Sequence, residues 1–185
     1  MGQEPTTTAY ALLGLLTFDR DNAGPDDAGL TGYELKHRAD NTLRFYWVSP
    51  ATSQVYSELR RLETLGLVHA DVRPGRRTTK RYRITAEGVA TLREWLRTTD
   101  TDFPVLKHPV ALRLMLGHLT GADQMRGLLE DYLDQLDRRR RELGAVRASL
   151  GDDERVRYPA LVADWGLSYY RDEERTVRRL LGRLG

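Results

Sequence analysis

The chain has no cysteine among its 185 residues. That excludes disulfides, thiolate metal sites and cysteine nucleophiles, and it suits a cytoplasmic protein. No run of about 18 apolar residues occurs, so no membrane-spanning helix is expected. The N-terminus lacks a basic region followed by a long apolar stretch, so no secretion signal is expected either. Neither sign of charge dominates: 29 Lys and Arg face 27 Asp and Glu, a net of +2. Catalytic signatures are also missing. His37, His69, His108 and His118 show no pairing at i+3 or i+4, no glycine-rich phosphate loop follows a strand, and there is no G-x-S-x-G. Asp172-Glu173-Glu174 reads as a solvated helix face rather than a metal site. The sequence therefore points away from an enzyme, a metal or a cofactor.

What is present is concentrated in one stretch. Val48 to Gly66 reads as a capped helix, with Ser49 as cap, Pro50 in the first turn and Gly66 as the left-handed residue past its end. Val55, Leu59 and Leu62 recur at i, i+4 and i+7 and make one apolar stripe, with Leu65 nearby. The opposite face carries Ser53, Ser57, Arg60 and Arg61, with Gln54 and Tyr56 at its edges. Short polar, amide and guanidinium side chains are those that reach base edges and phosphates.

A basic hairpin follows. Leu67 to Arg73 and Thr79 to Ile84 read as strands, Pro74 and Gly75 mark the turn, and Arg76 and Arg77 sit at its tip. An arginine-tipped hairpin suits a phosphate backbone or a minor groove better than a core. From position 44 to 83, Arg44, Arg60, Arg61, Arg73, Arg76, Arg77, Lys80, Arg81 and Arg83 face only Glu58, Glu63 and Asp71, a local charge of +6. Positive charge is thus gathered on one structural unit, as a nucleic-acid partner requires.

The remaining elements frame that unit. Thr7 to Leu16 reads as a buried helix, and Asp19 to Gly29 as a mobile acidic loop. Thr31-Gly-Tyr-Glu34 is a capping box that opens a helix to about Asn41. Phe45, Tyr46 and Trp47 read as packing under the reading helix, with a stacking platform for single strands as the other reading. Thr85 caps a helix to about Arg97 with Val89, Leu92 and Leu96 on one face and Trp95 beside them.

Prolines then punctuate the chain, and the expected organisation is a winged-helix domain over 1–99, a linker over 100–108 and a helical domain over 109–185. In the last of these, Leu112, Met115, Leu116 and Leu119 make a short amphipathic helix. Met125, Leu129, Tyr132, Leu136, Arg139, Leu143, Val146 and Leu150 form a heptad seam along a helix from about Ala122 to Leu150. A final helix from about Tyr158 to Leu184 turns Leu161, Val162, Trp165, Tyr169, Val177, Leu180 and Leu184 inward. Such a seam needs partner helices, some from the same chain and some from a second copy. Arg138 to Arg141, flanked by Asp134, Asp137 and Glu142, reads as a solvated face. Trp165 and Tyr169, with Tyr170 and Trp95, are either core packing or the wall of a pocket for a planar effector.

Four segments together, Tyr10-Ala-Leu-Leu-Gly-Leu-Leu16, Gly32-Tyr-Glu-Leu-Lys36, Gln54 to Leu67, and Lys80-Arg-Tyr-Arg-Ile-Thr-Ala-Glu-Gly88, resemble the PadR family of transcriptional regulators. The match covers roughly the first half, and the rest is similar in architecture to longer members with a helical dimerisation domain. The resemblance implies a mainly α fold with a winged helix-turn-helix. It also implies a homodimeric repressor on operator DNA, and for some members release by small aromatic molecules. Tyr56, Lys80 and Tyr82 fall on strongly patterned positions of the family, whereas Asp19 to Gly29 stands as an insertion in a loop that is usually short. DNA contacts are therefore expected from Ser53, Gln54, Tyr56, Ser57, Arg60, Arg61, Arg76, Arg77 and Lys80. The alternative function is a winged-helix adaptor that docks a protein and has no sequence-specific DNA binding.

Overall fold

The computed structural model describes residues 4–18, 29–73, 79–104, 107–151 and 153–184. The acidic loop up to residue 28 and the hairpin tip with Arg76 and Arg77 lie outside them. The chain divides into a unit over Met1–Asp102 and a second over Phe103–Gly185.

In the first unit, α1 (Thr7–Thr17) is capped by the Thr6 side chain, which accepts from the Ala9 N–H. Its Ala9, Leu12, Leu13, Leu15 and Leu16 are buried, as a helix apolar on nearly every side demands. A two-residue strand, β1 (Leu30–Thr31), precedes α2 (Gly32–Thr42). The capping box at the start of α2 is complete: the Glu34 N–H donates to Thr31 at 3.1 Å and the Thr31 N–H to Glu34 at 2.7 Å. Burial would raise the Glu34 carboxyl, but these bonds with Thr31 and the charges of Arg81 and Arg38 hold it below its usual range.

After a 3₁₀ turn at Leu43–Phe45 comes α3 (Thr52–Thr64), whose Val55, Leu59 and Leu62 are fully buried. Two expectations fail at this junction. The cap position is Ala51, with no side-chain bond, so Pro50 precedes the helix. The Ser49 hydroxyl instead donates at 2.6 Å to Asp40, which also holds Lys36, because an ionised carboxylate is a stronger acceptor than the competing partners. Of the three aromatics only Phe45 is buried; Tyr46 and Trp47 are exposed, since consecutive residues of a tight turn cannot all face one way.

Gly66 ends α3 with φ of 72°. The strands β2 (Val68–Arg73) and β3 (Thr79–Ile84) then pair antiparallel, with Val68 opposite Ile84 and Ala70 opposite Tyr82. β1 adds to the other edge of β3, giving the order β1-β3-β2. At two residues β1 is too short to show alternation, which is why no periodicity betrays it. α4 (Ala86–Thr98), capped by Thr85, turns Leu92 inward and lays Trp95 flat on Tyr10, ring centroids 4.6 Å apart. Leu96, in the last turn of α4, is exposed, contrary to expectation; the helix turns Gly88 and Leu92 inward, with Trp95 against Tyr10.

The second unit comprises α5 (Pro109–Met115), a 3₁₀ turn at Gly117–Leu119, α6 (Ala122–Leu150) and α7 (Arg157–Leu181). Half of the expected α6 seam is buried, at Met125, Leu129, Leu136 and Leu143, and α6 packs chiefly against α7 of the same chain. The inward face of α7 differs from the expected one. It consists of Ala160, Ala163, Tyr170 and Val177, while Leu161, Trp165 and Tyr169 are exposed. Small residues allow the close approach. A Cβ added at Gly166 would meet Leu143 at 2.7 Å. The basic run of α6 is a charged outer face, with Arg139 held by Glu142 and both Arg140 and Arg141 by Asp137.

Candidate nucleic-acid interface

The site is the outer face of α3 with the strands beside it. The inner face is anchored by Val55, Leu59 and Leu62, so the helix cannot roll without exposing three leucine-sized groups, each contributing on the order of 1.5–3 kcal/mol. Ser53, Ser57 and Arg60 then stand in a row facing solvent. The Ser57 hydroxyl donates back to the Gln54 carbonyl at 2.9 Å, which still leaves its lone pairs available. Among the described residues Arg60 has no ion pair, so its guanidinium is free to meet an anion.

The two edges of this face are occupied differently. On one side lies the start of α1. Gln54 donates weakly to Thr8 at 3.4 Å, and half-buried Arg61 donates to the carbonyl of Glu4. Buried Glu58 accepts from the Thr6 hydroxyl at 3.0 Å, while its Oε2 and the Arg61 Nε have no partner among the described residues. Sequence reading missed this clasp. The only available signal was a carboxylate on the inner half of an otherwise apolar stripe.

On the other side, the Tyr56 ring lies against the first turn of α2, where a Cβ at Gly32 would come within 2.5 Å of it. Glycine at position 32 is therefore a condition for the Tyr56 pose. Beyond it Lys80 pairs with Glu63 at 3.3 Å, tying β3 to α3. Tyr82, beside them in sequence, is buried, and burial raises its phenol above the usual value.

Much of the local positive charge is engaged within the chain. Arg83 pairs with Asp71, and Arg81 bonds the Gly29 carbonyl at 3.0 Å and lies 3.6 Å from Glu34. Arg44 lies over the Phe45 ring at 4.6 Å. Of the expected contacts, Ser53, Tyr56, Ser57, Arg60 and Lys80 are thus brought to one exposed surface. Gln54 joins them at its margin, and Arg61 is turned partly inward. Arg76 and Arg77 lie outside the described residues.

A second cluster, in the helical unit, was invisible in the sequence because its members are 24 to 65 residues apart. His108 bonds Glu173 at 2.8 Å, and Tyr132 lies 3.2 Å from His108 and 3.3 Å from Glu173. Glu173 is thus not on a solvated face as expected. Burial, then the Glu173 charge, pushes the Tyr132 phenol far above its usual range. The expected effector residues separate here: Tyr169 lies beside this cluster and Trp165 faces solvent, 76% exposed. Among the described residues no three His, Asp or Glu could hold a metal ion, and no helix is long and apolar enough to cross a membrane.

Residues 26–94 match the transcriptional regulator PadR-like family. No curated protein matches the sequence. Among solved structures, Bacillus subtilis PadR in complex with operator DNA is similar with a TM-score of 0.80 at 21% identity, covering 97% of this chain and 100% of that one. The same protein in complex with p-coumaric acid gives 0.73 at 22% identity, covering 97% and 99%. The Vibrio cholerae virulence activator AphA gives 0.71 at 19% identity, covering 96% and 98%. At these identities the likeness establishes a shared fold, mainly helical with a small winged-helix sheet.

Proposed function

We propose, from the match of residues 26–94 to the transcriptional regulator PadR-like family, that the chain is a regulator of that kind: a sequence-specific binder of double-stranded DNA, a homodimeric repressor released by a small molecule. The observation that carries the reading is the outer face of α3. A helix fixed by three buried anchors presents Ser53, Ser57 and Arg60 in a row, with Tyr56 and Lys80 alongside, and Arg60 has no ion pair among the described residues. Such a helix reads a major groove with its short polar side chains and holds the backbone with its cations. Ser53, Gln54 and Ser57 serve as base readers, and Arg60, Lys80, Arg76 and Arg77 as phosphate contacts. Arg61 reaches a phosphate only after giving up the Glu4 carbonyl.

Exposed apolar side chains support the dimer. Leu112, Met115, Leu116 and Leu119 in the α5 region, and Tyr158, Leu161 and Trp165 on α7, are all at least 45% exposed. A patch of this kind marks an interface, and two-fold symmetry matches two half-sites on a duplex. The family's role is regulation rather than catalysis, and we assign the chain no enzymatic activity and a place in the cytoplasm.

A gel shift against DNA from the protein's own promoter region, with random duplex as competitor, tests the reading. Preferential retention of the promoter fragment is the expected result. Equal binding to both, or none, would support the adaptor alternative.

A further inference from the structure

One flank of α3 is tied to residues 4–8, the stretch that leads into α1 and its first turn. Gln54, Glu58 and Arg61 recur at i, i+4 and i+7, so they form a stripe along the helix beside the outer row. Each takes one residue of that stretch. The Gln54 amide donates to Thr8 at 3.4 Å, the Thr6 hydroxyl donates to Glu58 at 3.0 Å, and the Arg61 guanidinium donates to the Glu4 carbonyl. Successive turns of α3 thus meet alternate residues in reverse order, and the stretch runs antiparallel to α3 as a strap. Pro5 favours extended backbone at Glu4, and Thr6 is extended, with φ of −74° and ψ of 163°.

The middle hold is the costly one. Glu58 is 9% exposed, and its Oε2 has no partner among the described residues, as is true of the Arg61 Nε. A half-satisfied buried carboxylate disfavours folding relative to an apolar side chain. Three buried anchors already fix α3, so Glu58 is not needed for the helix to pack. What it does is fix the strap. Thr6 accepts the Ala9 N–H at 3.1 Å while it donates to Glu58, so the cap of α1 and the strap are one unit. With Thr6 fixed, the Glu4 carbonyl two residues before it is placed on Arg61. Arg61 is therefore a cation at the rim of the reading face that is kept on an internal partner.

We infer that the strap makes the Arg61 phosphate contact conditional on base reading, with Glu58 as the positioning residue that holds the strap shut. A phosphate contact by itself favours every duplex alike. Behind the strap, Arg61 gains a phosphate only when the strap lifts. The weakest hold, from Gln54 to Thr8, is given up when Gln54 turns to a base edge, which happens on the operator and not on random DNA. A sequence-blind cation then adds to discrimination. The inference rests on the regulator reading and deepens it.

Anisotropy titrations of the full chain over a range of salt, against a promoter fragment and a random duplex, test it. Glu58→Ala frees Arg61 on any DNA: near 0.1 M salt it holds random duplex about fivefold more tightly, with a log–log slope steeper by about 0.9, and the promoter fragment gains less than about twofold. Glu58→Gln makes the same change of charge but still accepts the Thr6 hydroxyl, so it stays nearer to wild type than Glu58→Ala. Thr6→Val removes the hydroxyl with no change of charge and acts as Glu58→Ala does. Arg61→Ala costs the promoter fragment about fivefold and random duplex much less, and in the Glu58→Ala background it costs both alike. Thermal melts establish that each variant is folded, and opening the strap from either position 58 or position 6 keeps the test independent of one substitution. Equal gains on both DNAs, equal effects of Glu58→Ala and Glu58→Gln, or equal losses from Arg61→Ala on both DNAs overturns the proposal and, with promoter preference intact in the wild type, leaves the regulator reading standing. No promoter preference in the wild type sinks that reading and this inference with it.

Discussion

The two units spend similar side chains in opposite ways. In the first, the core draws on every helix and strand: Leu12 from α1, Leu35 from α2, Val55 and Leu59 from α3, Leu30, Val68 and Ile84 from the strands, and Leu92 from α4. In the second, α6 and α7 bury one seam between them, α5 buries nothing, and large apolar groups face outward on α5 and α7. The first unit closes on itself. The second leaves large apolar side chains uncovered, and in the proposed function a second copy covers them. Reading DNA and assembling are therefore separable by position in the chain, and each prediction below tests that separation.

The largest effect is expected from removing the second unit. A fragment ending at Thr99 keeps the whole winged-helix core, so it folds and is monomeric by sedimentation. It binds the operator about 10²–10⁴-fold more weakly, because a lone reader loses the tethered second one. In the full chain, Leu161→Glu with Trp165→Glu breaks the dimer and spares the α6–α7 seam, since both side chains are more than half exposed. Leu136→Glu with Leu143→Glu unfolds the helical unit instead, because these residues are 4% and 1% exposed and a charge there has no partner. A dimeric fragment, or one that holds the operator as tightly as the full chain, would collapse the comparison.

Next come the contacts themselves, which sharpen it within the first unit. Arg76→Ala with Arg77→Ala weakens binding to every duplex and lowers the magnitude of the log–log salt slope by about 1.8, at roughly 0.9 per phosphate contact. An unchanged slope removes the wing from the interface. Ser53→Ala or Gln54→Ala costs about 1–3 kcal/mol on the operator and much less on random DNA. Gln54 is the more discriminating case, because its amide already leans on Thr8 at 3.4 Å. Equal losses on both DNAs would assign it to holding α1 rather than to reading bases.

The first unit was the more legible in sequence, and the reason is local. A capping box, a three-residue apolar stripe and a glycine after a helix are each specified within a few positions, and Thr31, Val55, Leu59, Leu62 and Gly66 fall where those rules put them. What escaped depends on chain segments far apart. Ser49 follows Asp40 rather than its own helix, Glu58 is buried by the start of α1, and His108 meets Glu173 across 65 residues. The face of α7 was misjudged for a related reason. Both of its faces carry apolar residues, and periodicity cannot tell the stripe that packs within the chain from the one left exposed. The smaller residues, Ala160, Ala163 and Gly166, mark the intrachain side because they permit the tighter approach.

The smallest expected effect lies in the cap of α2, and it bears on how independently the first unit holds its geometry. Thr31→Ala removes the side-chain acceptor for the Glu34 N–H and costs about 1 kcal/mol of stability. Glu34→Gln keeps an acceptor for the Thr31 N–H and removes the charge. The Glu34 carboxyl is held below its usual value in the folded chain, so its contribution is fully present above the unfolded value and fades as pH falls through the folded one. Wild type should therefore lose more stability than Glu34→Gln between neutral pH and about pH 4, near the ordinary carboxylate value. The difference is modest because the Glu34 side chain is 44% exposed and water screens it. Urea midpoints for the two proteins at both pH values provide the measurement. If the first unit closes on itself, the same pH dependence appears in the fragment ending at Thr99; if it appears only in the full chain, the cap depends on the second unit and the separation fails at its smallest scale.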